Sequence, residues 1–494
     1  MQADTPLTKA PVTDLTVYGA TSFVARHVLT YLVQYQVLQS AQVGETKSPP
    51  LKLTVAGRNA EKLRALQAEW TKKMKLLAEA THLDDETVAN CFMIDVFTAD
   101  SDDVDGLRKM AARTKVILNC AGPFAHYGTN VVAACAEFGT DYVDITGEMS
   151  WVGDMRERFQ AQAQKSSARI VSLCGYDSMP SDLSVFAAVQ ALREVKKKNG
   201  GGRTVNNVVD IGSATTYFSA LGMANGGTLQ TMQDYPVDWA KCLKQPVPFM
   251  MEDPLVLCDP TLRQDTSVET TELRKRWAKN EWINQLPFFH SFLKGGFSAP
   301  HMMAVVNAKC VYASSIALQY GSNFSYFERM LPVGFRMTRQ LQTFSVIPAL
   351  LTHAFLLLCV LVLRLPLIGP ILLDWLGGPG TGASDAMCSG GYVEIYTEVR
   401  GPVDRKTGKV DKANVFLKFK GDPGNWTTAQ CVAEAALCLL YDRKVLPKHA
   451  GFGTPAQVMG DALLQRLRKS PVRKVEFVSS VRLQTAQVEW KMFP

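Results

Sequence analysis

The sequence predicts an α/β protein: a doubly wound parallel sheet with an inserted α+β second domain and a hydrophobic, membrane-associating segment. Three observations carry this reading. From residue 15 to about 195, short apolar runs alternate with amphipathic stretches, as strands separated by covering helices do. After the cluster of Lys, Asn and Gly at residues 196–202 the texture changes to longer mixed runs with Gly, Pro and aromatic residues. Finally, no residue between Thr343 and Leu363 carries a formal charge.

Taken in order, the apolar runs at 15–18, 51–56, 91–95, 115–120, 141–145 and 169–174 are the expected strands. Between them, stretches such as Ala60–Ala80 and Thr129–Phe138 repeat apolar residues at spacings of three and four, with charged residues filling some of the gaps, which is the helical period. Right-handed crossovers place the strand ends on one rim, where sheets of this kind hold ligands. Beyond residue 200, strands are expected at 205–213, 392–399 and 413–420, with a helix at 427–441 packing on them. The predicted organisation is therefore a nucleotide-binding domain at 1–200, an inserted α+β domain at 201–449, and a terminal segment at 450–494 returning to the first domain.

Composition narrows the function classes. With 47% hydrophobic and 20% charged residues the chain is an ordinary globular one, and a net charge of +7 over 494 residues, without a basic run longer than Lys196 to Lys198, argues against a nucleic-acid partner. The 11 cysteines are dispersed, odd in number and free of any CxxC pair, so they read as reduced, buried thiols. The polar first 14 residues lack a secretory signal's apolar stretch, so a cytosol-facing, unsecreted protein is expected. No HExxH, P-loop or GxSxG pattern occurs, and the 7 histidines are scattered, leaving metal and serine-hydrolase chemistry unsupported.

The uncharged stretch at 343–363 is apolar all round, and Pro366 and Pro370 break the apolar run that follows. Roughly 20 such residues suffice for a bilayer core, yet Pro348 and His353 interrupt a span. A hairpin or monolayer anchor over 343–373 is the favoured reading, with a buried core helix as its alternative.

The first strand leads into Gly19, Ala20, Thr21, Ser22, Phe23, Val24 and Ala25, with small residues at 19, 22 and 25 of a G-x-x-G-x-x-G spacing. Gly19 supplies a tight turn, and the following helix end offers free N–H groups to a pyrophosphate. Arg58 ends the second strand where a site selective for NAD(H) carries an acid, so a 2′-phosphate, and hence NADP(H) over NAD(H), is expected. Asp95 is placed either at an adenine edge or as a helix cap. The fourth strand runs into Asn119, Cys120, Ala121, Gly122 and Pro123, a bend that brings bare backbone to the rim and aims His126 and Tyr127 at the crevice. Carboxylates at Asp144 and Glu148 reach the same rim, as does the segment from Gly175 to Asp182.

These residues resemble the saccharopine dehydrogenase-like oxidoreductase family, which includes bacterial trans-acting enoyl reductases of lipid synthesis. The likeness rests on Gly19 to Phe23, Ala56-Gly57-Arg58, Asn119 to Pro123, Tyr127-Gly128, Asp144 with Gly147-Glu148, Gly175 to Ser178 with Pro180 and Asp182, and Gly451 to Ala456. It is sharp over roughly residues 13–185, looser beyond, and departs from the family at Ser22 and Ala25, where glycine is usual. The resemblance implies a Rossmann domain with an insertion, a nicotinamide nucleotide, and association with lipid droplets or membranes. It gives no reason to expect saccharopine as substrate, since no Arg and Lys cluster stands ready for several carboxylates.

The expected chemistry is hydride transfer to or from a C=C or C=O bond of a lipid-like small molecule, with Tyr127, His126, Tyr176 and Asp177 as candidate proton donors. A second segment, Gly222 to Thr231, either opens a helix toward the substrate or packs over the cofactor. The rival reading is a non-catalytic membrane or lipid-droplet scaffold, or a nucleotide sensor, that keeps the fold. A homodimer is left open.

Overall fold

In the computed structural model the described residues are 12–41, 51–81, 92–199, 204–205, 208–222, 229, 253–286, 289–291, 296–332, 346–363, 365, 367–375, 381–404, 407–483 and 490–491. Among them the strands in chain order are β1 (Thr13–Tyr18), β2 (Leu51–Gly57), β3 (Phe92–Thr98), β4 (Thr114–Asn119), β5 (Asp141–Asp144), β6 (Arg169–Val171), β7 (Thr204–Val205), β8 (Val208–Val209) and β9 (Ser213–Leu221). There follow β10 (Phe289–Ser291), β11 (Gly296–Pro300), β12 (Ser325–Met330), β13 (Tyr392–Arg400), β14 (Lys412–Lys420), β15 (Gly451–Phe452), β16 (Glu476–Arg482) and β17 (Trp490–Lys491).

The chain divides into two compact units. The first comprises residues 1–175 and 428–474, the second 176–427 and 475–494. Unit 1 is built on a 7-stranded sheet of order β15-β6-β5-β4-β1-β2-β3, and its paired strands run parallel. Leu15, Val17, Leu53, Val55, Ile117, Leu118, Val143 and Ile170 are all buried, as strands covered on both faces require. The order reverses between β1 and β4, and that reversal leaves a crevice at the strands' carboxyl ends. The helix Ala60–Ala80 opens on Asn59, whose side chain accepts from Lys62 N–H, and it buries Leu63, Leu66, Trp70, Met74 and Ala78 at the helical period.

Unit 2 holds an 8-stranded sheet of order β10-β11-β12-β9-β13-β14-β16-β17, antiparallel except where β12 runs alongside β9. The helix Met179–Lys198 packs on β13 and β14, and its last turn is tied by Lys196 Nζ to Asp411 at 2.7 Å.

Four sequence expectations meet a different arrangement. The division falls after Gly175, so the helix Met179–Lys198 joins unit 2 instead of ending the first domain at residue 200. Its apolar faces fit either sheet, and periodicity cannot say which. Among the described residues of 205–213, β7 pairs with β8 and only Ser213 belongs to β9, because the long strand begins there. The helix Thr428–Tyr441 packs on β4, β5 and the helix Phe23–Ala41 of unit 1, not on β13 and β14. Its fixing network is buried: Tyr31 donates to Glu434 Oε1 at 2.6 Å, and Arg466 donates to Glu434 Oε2 at 2.8 Å, to Asp442 Oδ2 at 3.1 Å and to Tyr35 at 2.8 Å. The terminal segment is split accordingly, residues up to 474 lying in unit 1 and those from 475 in unit 2.

The apolar insert of unit 2 forms two helices, Val346–Leu363 with 18 residues and Ile368–Trp375. One seam of the first, with Ala349 and Thr352 buried, packs on β11. Its other sides leave Ile347, Leu351, Phe355 and Leu358 exposed, and the second helix continues with Ile371 and Trp375. No helix among the described residues is long and apolar enough to cross a membrane. Residue 343, where the expected segment starts, lies outside the described residues, as does most of the 222–231 segment.

Candidate functional site

In unit 1 the turn after β1 is left-handed at Gly19, with φ at +69°, and a Cβ there would lie 2.6 Å from the backbone nitrogen of Ala121. The turns after β1 and β4 therefore meet backbone to backbone, which only glycine permits. Ala20 N–H donates to Ala56 O, Ser22 N–H to Gly19 O, and Ala25 N–H to Ser22 Oγ at 3.3 Å. The N–H groups of Thr21, Phe23 and Val24 make no hydrogen bond among the described residues. Free donors at a helix start, beside a turn with no Cβ, fit a pyrophosphate.

Arg58 stands exposed just after β2 and makes no ion pair or hydrogen bond among the described residues. Its charge reaches Tyr18 at the end of β1, whose hydroxyl is pushed up to about 12, by burial first and then by Asp100 and Asp102, with Arg58 pulling the other way. The aspartates after β3 thus share this rim. Asp95 does not: β3 continues to Thr98, which leaves Asp95 exposed in mid-strand, paired in register with Thr54. An apolar run whose last residues are Phe97 and Thr98 hides its true end, and the cluster at 100–103 was the available signal for the rim acids.

The β4 turn is braced from below. Asn119 Oδ1 accepts Ala121 N–H at 2.8 Å, while its Nδ2 donates to Tyr142 OH at 3.0 Å. Glu148 accepts Phe124 N–H and Ala125 N–H at 2.7 and 2.8 Å, capping the short helix Phe124–Tyr127 behind Pro123. Asp144 accepts Thr146 N–H, Ser172 Oγ–H and Leu173 N–H, and burial pushes its carboxyl up to about 6 despite these donors. Both rim carboxylates therefore hold backbone in place. His126 and Tyr127 are exposed, their rings 6.1 Å apart.

Tyr176 and Asp177 belong to unit 2. There Tyr176 meets Phe218 of β9 edge-on at 6.0 Å, and Phe218 stacks on His301 at 4.4 Å. Glu328 of β12, 0% exposed, receives four donors: His301 Nδ1 at 2.5 Å and Asn307 Nδ2 at 2.7 Å on one oxygen, Ser181 Oγ at 2.9 Å and Tyr326 OH at 2.5 Å on the other. Ser178 Oγ donates in turn to Asn307 Oδ1 at 3.0 Å. Asp177 is half-buried, and its carboxyl is pushed up to about 6, by burial and by Glu328, with His301 opposing. Sequence reasoning missed His301 and Glu328, since neither sits in a motif and strand pairing alone brings them together.

Among the described residues no group of His, Cys, Asp and Glu could hold a metal ion. Nine described cysteines are free thiols, eight of them buried.

Residues 17–171 match the saccharopine dehydrogenase NADP binding domain. A Mycobacterium tuberculosis protein named as a trans-acting enoyl reductase is 30% identical over 464 residues, covering 92% of this chain and 95% of its own. A Caenorhabditis elegans lipid droplet localized protein is 33% identical over 219 residues, 44% of each chain. Among solved structures, apo saccharopine dehydrogenase (L-Glu forming) from Saccharomyces cerevisiae covers 94% of this chain and 99% of its own, with a TM-score of 0.43 and 13% identity. The nucleotide that a domain of this kind binds is NADP(H), and the chain belongs to the saccharopine dehydrogenase-like oxidoreductase family.

Proposed function

We propose that this protein uses NADP(H) to transfer hydride to or from a C=C or C=O bond of a lipid-like small molecule taken from a membrane or lipid-droplet surface. The observation that carries the nucleotide half is the set of N–H donors beside Gly19 and the guanidinium of Arg58, all without partners among the described residues. The dinucleotide, when bound, supplies the hydride. The protein's share is to cradle the diphosphate on Thr21, Phe23 and Val24, to take the 2′-phosphate on Arg58, and to keep Ala121 to Pro123 in place for the nicotinamide ribose.

Energy transfer from the 8 tryptophans to NADPH measures binding directly. In Arg58→Asp, charge-assisted hydrogen bonds worth about 1.5–3 kcal/mol are lost, so NADPH binding weakens by roughly 10- to 100-fold while NADH binding changes by no more than a few fold. Equal weakening of both nucleotides would refute the 2′-phosphate assignment.

The lipid half rests on the exposed apolar face of the helices Val346–Leu363 and Ile368–Trp375, where Trp375 is 80% exposed. A patch of this kind is costly in water, and shallow insertion into a monolayer hides it. Substituting Leu351, Phe355 and Leu358 by Asp is expected to move the protein from the floating to the soluble fraction with phospholipid-coated triolein droplets. Unchanged flotation would mean that this face serves some other contact.

One observation favours the rival, a non-catalytic surface protein or nucleotide sensor. Ser22 Oγ accepts Ala25 N–H and so occupies one helix-start donor that a glycine at this position would leave to a diphosphate. Absence of NADPH binding at millimolar nucleotide would decide for it.

A further inference from the structure

The strand ends of unit 1 bring three polar side chains together beside the diphosphate turn. β2 and β3 are in register through Gly57 and Thr98, and Ala99 N–H donates to Gly57 O at 3.0 Å, so Arg58 and Asp100 leave the sheet side by side. β1 lies on the other side of β2, and its last residue is Tyr18. The charges that act on the Tyr18 hydroxyl are those of Asp100, Asp102, Arg58 and Asp103, which places it at the same rim.

Two polar groups here have no partner among the described residues. Tyr18 is 3% exposed, yet its hydroxyl makes no hydrogen bond and is not among the fully enclosed atoms. Buried hydroxyls are normally satisfied, so one left open at a strand end is placed for a ligand. Asp100 is half-buried, and its Oδ1 accepts Ser101 Oγ–H at 3.1 Å and Asp102 N–H at 3.3 Å. These bonds orient the carboxylate and leave Oδ2 without a partner. Asp103 is engaged elsewhere, as the cap of the helix Val104–Ala112. Pushed up to about 12, the Tyr18 hydroxyl keeps its proton through the neutral range, so Tyr18 offers a donor where Asp100 offers acceptors.

We infer that Tyr18 and Asp100 select the adenine base of the dinucleotide, Asp100 Oδ2 accepting from the 6-amino group and the Tyr18 hydroxyl donating to the adjacent ring nitrogen. This deepens the NADP(H) reading and rests on its placement of the 2′-phosphate on Arg58. An acceptor beside a donor matches adenine on either edge, where the amino group stands next to N1 or N7. Hypoxanthine and guanine carry an oxygen at C6 instead, which the Asp100 carboxylate repels. Asp95 stays in mid-strand, and Asp100 is the first carboxylate beyond the end of β3.

The test compares NADPH with reduced nicotinamide hypoxanthine dinucleotide phosphate in the tryptophan energy-transfer titration of the full chain. The wild type is expected to bind NADPH about 10- to 100-fold more tightly, since the analogue loses a hydrogen bond to a charged group. In Asp100→Asn the amide keeps Oδ1 for Asp102 N–H and donates through Nδ2 to the C6 oxygen, so the preference should vanish or reverse. The ratio of the two affinities cancels whatever the lost charge does to the 2′-phosphate that both nucleotides share. Tyr18→Phe keeps the buried ring and should weaken NADPH binding about 3- to 10-fold. Equal affinities in the wild type, a preference that survives Asp100→Asn, or an NADPH affinity untouched by Tyr18→Phe would overturn this inference and leave the NADP(H) reading standing. A wild type that binds neither nucleotide would overturn both.

Discussion

Gly19→Val is expected to abolish measurable NADPH binding and to lower the melting temperature of the chain. Valine at φ +69° is strained by roughly 1–3 kcal/mol, since its branched Cβ crowds the backbone on both sides. Its Cβ would also lie 2.6 Å from Ala121 N and 2.8 Å from Ala121 Cα, and these are backbone atoms that cannot rotate away. The ends of β1 and β4 must separate, which overpacks the crevice for about another 1–3 kcal/mol. Because the same two turns are the ones proposed to hold the dinucleotide, the diphosphate would lose its cradle as well, and the dissociation constant should rise by ~100-fold or more. Circular dichroism distinguishes loss of the site from loss of the fold, and an unchanged dissociation constant would place the diphosphate elsewhere.

Arg466→Met carries the other large effect, this time on stability. Arg466 neutralises Glu434, which is buried on the helix Thr428–Tyr441, and the pair is shared with Tyr31, Tyr35 and Asp442. Removing one partner of a buried pair costs about 3–5 kcal/mol, because the other charge is left uncompensated. The loss depends on pH in a defined direction. Burial raises the folded-state pKa of Glu434 while Arg466 lowers it, so the substitution raises it further. A carboxyl with a raised folded-state pKa binds more protons folded than unfolded, and stability then falls as pH rises from the unfolded value through the folded one. The deficit of Arg466→Met should therefore be larger at pH 8 than at pH 5 in urea titrations of unit 1. Adding Glu434→Leu should recover most of it, and a deficit that is flat with pH would show that packing, not charge, was lost.

Unit 1 was legible because its signals are local. Periodicity alone places Ala60–Ala80 and Thr129–Phe138 at their observed bounds, and the turns at Gly19 and Gly122 follow from backbone chemistry in single short segments. What failed to show was partnership across long separations. Tyr31 meets Glu434 some 400 positions away, and a hydrophobic helix such as Thr428–Tyr441 carries no mark of which sheet it will cover. His301 and Glu328 illustrate the same limit: an isolated His after a strand and an alternating Glu within one are unremarkable until β11 and β12 pair. Asp144 and Glu148 were expected at the rim with no role assigned, and they serve there as backbone anchors, a use that a carboxylate at a strand end does not announce in sequence.

The interleaving of the two units has a consequence for biosynthesis. Residues 13–171 supply six strands of the first sheet, but the helix that buries part of that sheet's face is encoded after residue 427, as is the edge strand β15. While the ribosome is still translating the intervening 250 or so residues, the nascent sheet holds Val, Leu and Ile side chains without their final covering. Completion of the nucleotide-binding half thus waits until residues 428–474 have been read, and a shortened polypeptide ending near residue 175 should emerge sticky and dependent on chaperones.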